Sequence, residues 1–201
     1  VFLTTVADFM ILNILFILCC APVITIGPAV SALYTITMRE ARHEGGYIFK
    51  PFFKAFKNNF KQAFLLSILY LIIGASFVFG VKFWIEKPEF STVNQVILVI
   101  TGVFAVIFIF SLLYVFALIA RFDNTIFKSV KNAVMLAVFN LRETFLLTLI
   151  HVIVIVLMIF TKGIWIFMMV GGFSVCAYIN SLLFIRVFRQ YEKIEGGNHD
   201  D

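Results

Sequence analysis

The chain of 201 residues is 62% hydrophobic and 13% charged, and it carries a formal net charge of +5. A soluble domain has about 25% charged residues and cannot expose this much apolar surface to water, so the soluble classes are excluded. Basic balance in such a chain reads as membrane orientation and contact with anionic lipid, not as nucleic-acid binding.

The first apolar segment runs from Val1 to Ala21. It begins inside an apolar run, with no basic n-region or cleavage site of a signal peptide, so its start is expected to be truncated. Pro22, Gly27 and Pro28 then break the chain. Proline lacks a donor and clashes with the preceding turn, but it suits the first turn of a new helix, so a second segment is expected over 28–42. The two pieces form either a tight hairpin of spans or one broken element. A break at membrane depth must be buried in protein or face water, and its freed backbone groups can bind a solute. A plain tight turn is the alternative.

The stretch from Arg39 to Lys61 holds six of the sixteen Lys and Arg, against two acids, Glu40 and Glu44. The positive-inside rule places it in the cytoplasm. Within it, Phe49, Phe52, Phe53, Phe56 and Phe60 recur at helical spacing, with Lys50, Lys54, Lys57 and Lys61 on a neighbouring face. That pattern predicts an amphipathic helix over 47–61, lying on the membrane or docking a partner.

Clear spans follow at 62–85 and 93–120, joined by a short polar connection from Lys82 through Glu89 with Pro88 as a stop, and Trp84 is read as an interface anchor. A second basic region, 121–143, is expected to begin with an elbow at Arg121, Asp123 and Asn124. Asp123 or Asn124 would cap a second amphipathic helix over 125–140. Its apolar stripe is read as Ile126, Phe127, Val130, Val134, Ala137 and Val138. Arg121 and Asp123 are placed to pair and fix the elbow, and with Asn124 and Arg142 they read as a structural elbow or a partner contact. The last spans are 144–161 and 164–185, joined by a tight turn at Lys162-Gly163. A polar tail over 196–201 is expected to be disordered.

These elements define one all-α domain over 1–195. It is a polytopic transmembrane helix bundle of five to six membrane segments with two amphipathic cytoplasmic helices. Thirteen of the sixteen basic residues fall in 39–61, 121–143 and the C-terminal region, so all three are expected on the cytoplasmic side. Residues Ile48 to Lys50 recur as Ile126 to Lys128, and Phe64 to Ser67 as Phe145 to Thr148. This is either a faint internal duplication or chance in an oily sequence.

Polar groups within the segments are costly and therefore worth naming. Asp8 reads as a headgroup-level or functional carboxylate, and Asn13 shares its segment. His151 reads as a packed neutral imidazole. Asn180 and Ser181 read as glue between helices, and Gly171-Gly172 permits close packing or a kink. Three cysteines make no disulfide framework, and no Cys-x-x-Cys or His cluster suggests a metal site. No nucleophile stands beside a recognisable base, so neither enzyme chemistry nor a cofactor is expected.

Several motifs together resemble the YesL-like family of bacterial integral membrane proteins, a domain of unknown function. They are Gly27-Pro28-Ala29 with Ala32-Leu33-Tyr34, the Lys- and Asn-bearing stretch Phe49 to Gln62, Ala120-Arg121-Phe122-Asp123-Asn124, Lys131-Asn132-Ala133, and Asn140-Leu141-Arg142-Glu143-Thr144. The resemblance implies a multi-pass protein of the bacterial cell membrane with no catalytic residues to carry over. Members are commonly encoded near carbohydrate importers and polysaccharide-degrading enzymes. That context implies an accessory membrane subunit of an oligosaccharide ABC-type importer, touching its membrane and nucleotide-binding subunits. An independent small-solute transporter, or a membrane scaffold or sensor, is the alternative.

Overall fold

The computed structural model describes the backbone of residues 2–86 and 92–196, and side chains over 5–86 and 92–189. All its regular structure in those residues is helical. Helix α1 (Phe2–Cys20) leads through a 3-10 turn (Val23–Thr25) into α2 (Ile26–Ala41). Then follow α3 (Phe49–Ile85), α4 (Thr92–Arg121), α5 (Ile126–Phe139) and α6 (Leu141–Phe160). Helix α7 (Ile164–Phe167) passes through a π segment (Met168–Gly172) into α8 (Phe173–Gly196). The expected tail beyond 196, and the Pro88 stop, lie outside the described residues.

Four helical stretches are long and apolar enough to cross a bilayer: Phe49–Ile85, Thr92–Arg121, Leu141–Phe160 and Ile164–Arg189. Their outward faces keep large apolar side chains exposed, such as Phe79 at 72%, Val99 at 66% and Ile159 at 72%. Lipid satisfies such faces and water does not. The protein is a polytopic transmembrane helix bundle.

Helix α2 is its hub. At 16 residues it is about 24 Å long, short of a hydrocarbon core of about 30 Å. It packs against α1, α3, α4 and α8 and buries almost every residue from Gly27 to Met38. Small residues make this possible. A Cβ on Gly27 would overlap the Ser67 hydroxyl and come within 2.8 Å of the Ala63 carbonyl and the Phe116 ring. An aromatic chain links α2 to its neighbours: Tyr34 meets Phe184 edge-on at 5.2 Å, and Phe184 meets Tyr114 at 5.5 Å.

The break before α2 is a compact turn. Thr25 Oγ1 lies 2.6 Å from both the Cys19 and Pro22 carbonyls, so its hydroxyl serves backbone acceptors that the interrupted helix leaves open. Gly27 and Pro28 are buried in the first turn of α2. Residues 2–42 thus form two helices joined by a short turn.

Buried polar side chains hold the helices together pairwise. Thr37 and Ser181 hydroxyls lie 2.8 Å apart, Tyr70 and Ser111 3.0 Å, and Tyr114 and Thr144 3.0 Å. Asn180 Nδ2 donates to Tyr34 Oη at 3.5 Å. Such bonds are favoured where the alternative is an unsatisfied group in hydrocarbon. The expectation for Asn180 and Ser181 described this glue.

Asn13 does more than its sequence position suggests. It is fully buried, and its Nδ2 donates to the Met168 and Met169 carbonyls at 2.9 and 2.8 Å. Its Oδ1 accepts from the Ser174 N–H at 3.2 Å. The π segment widens the last helix by one residue and disturbs its i to i+4 ladder, and Asn13 occupies the groups this frees. Gly171-Gly172 therefore marks a π bulge clamped by α1. His151 Nδ1 donates to the Leu147 carbonyl at 2.7 Å within its own helix.

Two element boundaries differ from expectation. The amphipathic stretch 47–61 and the span 62–85 are not separate: both lie in the single 37-residue α3, about 55 Å long. One buried stripe, Phe52, Ala55, Ala63, Leu66 and Tyr70, runs through both parts, and no Gly or Pro interrupts between Pro51 and Gly74. In α5 the buried face is Ser129, Ala133, Leu136 and Ala137. Phe127 and Val138, assigned to its apolar stripe, are exposed. Small side chains let α5 approach its neighbour closely, and the larger ones face outward.

Candidate functional site at the basic face

The basic residues converge because helix ends converge. Arg39 closes α2, the lysines of α3 begin at Lys50, Arg121 closes α4, and Arg189 lies toward the end of α8. Arg39, Lys50 and Lys54 line one cavity of about 450 Å³ with Thr35, Pro51, Ala55 and Asn58. Arg42, Arg121 and Arg189 line a second, of about 60 Å³, floored by Met38, Ile185 and Phe188. The three arginines come from segments far apart in sequence.

The loop between α2 and α3 shapes this surface. Arg42 Nη2 donates to Glu44 Oε2 at 2.9 Å, and its Nε lies 2.8 Å from Oε1. His43 takes a left-handed φ of 59°, and the Glu44 N–H returns to the Arg39 carbonyl at 3.0 Å, which ends α2. Gly46 follows with φ of 153°, a conformation that side chains resist.

Lys50, Lys54, Lys57 and Lys61 are all exposed along α3. Phe53 stays 39% exposed and meets the rings of Phe49 and Phe52 at 5.1 and 5.7 Å. Phe52 is the fully buried anchor of that group. Tyr47, Phe49 and Phe127 add exposed aromatic surface among the lysines. Asp8, half-buried, lines a further cavity with Tyr47, Phe49 and Lys50.

The elbow after α4 is built differently from expectation. The N-cap of α5 is Thr125, whose side chain accepts from the Lys128 N–H at 3.5 Å, and neither Asp123 nor Asn124 takes that place. Thr125 has the extended backbone that a cap requires. Asp123 is exposed. Asn124 acts through its backbone: its carbonyl accepts from Gln62 Nε2 at 2.7 Å, and Gln62 also donates to Ser129 Oγ at 3.1 Å. Gln62 thereby ties α3 to the elbow and to α5. Arg142 is exposed in the first turn of α6, beyond the break at Asn140.

The structure puts Lys50 and Lys54, both named from the sequence, around one cavity with Arg39. Sequence reasoning missed Arg42 and Arg189 as companions of Arg121, and it missed Gln62. Each carries an unremarkable local pattern, and the helix-end convergence that joins them is tertiary. Among the described residues, no group of three His, Cys, Asp or Glu is placed to hold a metal ion.

Fold and site together define a multi-pass helical membrane protein with one strongly basic end. A family model described as "Protein of unknown function, DUF624" matches residues 9–81, which run from α1 through most of α3. Neither curated proteins nor solved structures give a match.

Proposed function

We propose that this protein is a non-catalytic accessory subunit of the bacterial cell membrane, that its basic face lies in the cytoplasm, and that this face docks a carbohydrate importer of the ATP-driven class. The observation that carries the reading is the alternation of exposed aromatic and lysine side chains at the start of α3 and on α5: Tyr47 just before α3, then Phe49 and Phe53 among Lys50, Lys54 and Lys57, with Phe127 beside Lys128. Aromatic anchors ringed by charge are the usual composition of a protein-binding patch. The positive-inside rule supports the cytoplasmic side, and anionic headgroups share the same surface. The choice of a carbohydrate importer rests on the resemblance to YesL-like proteins. The DUF624 match over 9–81 is compatible with that resemblance. Internal hydroxyl pairs such as Tyr114–Thr144 and Thr37–Ser181 engage one another across helices, which favours a rigid scaffold.

The test is co-purification with the importer's membrane and nucleotide-binding subunits after mild detergent extraction. Replacing Lys50, Lys54 and Lys57 by glutamine should lower recovery of the complex about tenfold while the thermal transition stays put, because rim charges steer association without holding the fold. Migration as a lone monomer, or recovery indifferent to these changes, overturns the docking reading. Solute flux in liposomes holding this chain alone would replace it with transport.

A further inference from the structure

We propose that the cavity walled by Arg42, Arg121 and Arg189 is a binding site for a phosphate group. Three arginines, from the ends of α2 and α4 and from α8, line one space of about 60 Å³, and its six lining residues include no carboxylate. Arginine stays protonated in proteins, so the walls carry fixed positive charge. Glu44 engages Arg42 from the loop at both Nη2 and Nε, which fixes the plane of this guanidinium beside the cavity. The Arg42 side chain is only 18% exposed. An oriented Arg42 thus stands with Arg121 and Arg189 around a cavity of oxyanion size.

The floor explains why this is a site and not a loose basic patch. Met38 and Phe188 are each 2% exposed, and Phe188 stacks on Phe184 at 5.9 Å. These packed side chains fix the backbone from which the arginines project. Planar guanidinium forks match phosphate oxygens two at a time, which lysines cannot do. The neighbouring cavity of Arg39, Lys50 and Lys54 is larger and lined mainly by lysine among its cations, so it suits diffuse headgroup attraction. The arginine site goes beyond the docking reading and does not depend on it.

Two sources can deliver the group: a lipid headgroup or free phosphate. The full chain, stripped of lipid in neutral detergent, is titrated with inorganic phosphate and followed by thermal shift. In parallel it is placed in nanodiscs of phosphatidylcholine with or without phosphatidylglycerol, and retained lipid is counted by native mass spectrometry. Wild type should gain phosphate-dependent stability, or retain phosphatidylglycerol, or both. The first result alone assigns free phosphate, the second alone assigns the headgroup. Arg189→Gln should weaken whichever response occurs about tenfold, Arg189→Lys should weaken it less, and Lys162→Gln, at an exposed lysine in the turn before α7, should leave it unchanged. Arg189 is exposed, so its substitution should leave the helical circular dichroism intact. Absence of both responses, equal loss in Arg189→Gln and Lys162→Gln, or protection by an acidic peptide and not by phosphate would each overturn the assignment. The co-purification result above can fail or succeed without affecting this outcome.

Discussion

Residues 59–67 and 140–148 resemble one another position by position. The first reads Asn59-Phe60-Lys61-Gln62-Ala63-Phe64-Leu65-Leu66-Ser67, and the second Asn140-Leu141-Arg142-Glu143-Thr144-Phe145-Leu146-Leu147-Thr148. Each follows a basic stretch and enters a membrane span. The first lies within one unbroken helix, α3; the second contains the break between α5 and α6, with Asn140 at φ −111° and ψ 55°. The asparagine side chains explain the difference. Asn59 Nδ2 donates to Ser31 Oγ on α2 at 3.0 Å, so its amide is occupied by a neighbouring helix. Asn140 Nδ2 turns on its own chain and donates to the Leu136 carbonyl at 3.1 Å. Asparagine competes with the backbone for hydrogen bonds, and here tertiary contact decides whether it does so.

The largest effect should come from breaking the contact that seats the first copy. Gly27 lets α2 lie directly on Ala63 and Ser67 of α3, and any larger residue must push the helices apart. Gly27→Leu should cost about 3 kcal/mol or more, since a packed core has no room for added methylenes. The measurement is the detergent thermal transition, with Gly80→Leu as control because a Cβ there meets nothing within 4 Å. Equal effects at the two positions would show that close approach at Gly27 does not hold α3 in place.

The second copy is seated by a hydroxyl. Thr144 Oγ1 lies 3.0 Å from Tyr114 Oη, 3.0 Å from the Ala137 carbonyl and 2.9 Å from the Asn140 carbonyl, so one side chain bridges the break and joins α4. Thr144→Val keeps the shape and leaves Tyr114 buried without this partner. A loss of about 1–2 kcal/mol is expected in reversible unfolding. Tyr114→Phe in the same background should recover part of it, because the stranded hydroxyl is then gone. Recovery absent in the double variant would mean that Thr144 matters only to the local backbone.

Much of this architecture was legible in one sequence, because hydropathy and charge report on the solvent each residue meets. The apolar runs place the four long spans, and the clustered Lys and Arg mark one end of the bundle. Pro22 and Pro28 bound the turn between α1 and α2 for steric reasons that need no partner. What stayed hidden depends on pairing. Phe49 to Gln62 has the pattern of a separate surface helix, and only the stripe shared with α2 shows that it continues into the span. Asp123 and Asn124 are better caps by residue type than Thr125, yet the backbone turns at Thr125. Arg42, Arg121 and Arg189 have no spacing to detect, since three different helix ends carry them. Asn13 lies far in sequence from the π bulge it closes.

The finest test of the comparison exchanges alanine for each asparagine in turn. Asn59→Ala removes a bond between helices and should cost about 1 kcal/mol, with α3 left straight, because alanine favours the helix that Asn59 already occupies. Asn140→Ala removes the side chain that competes with the backbone at the break. Alanine there lacks the bond to Leu136 but gains in helix propensity, so the net change should be near zero, within about 0.5 kcal/mol. Geometry should separate them more clearly than stability. Spin labels at exposed Lys131 and Leu149, on either side of the break, should report a longer and narrower distance distribution in Asn140→Ala as α5 and α6 straighten. Labels at Lys57 and Leu69 should report none in Asn59→Ala. A straightened second copy would place the cause of the break in the asparagine itself. An unchanged bend would transfer it to Thr144, whose hydroxyl would then be holding two helices at an angle that their backbone already prefers.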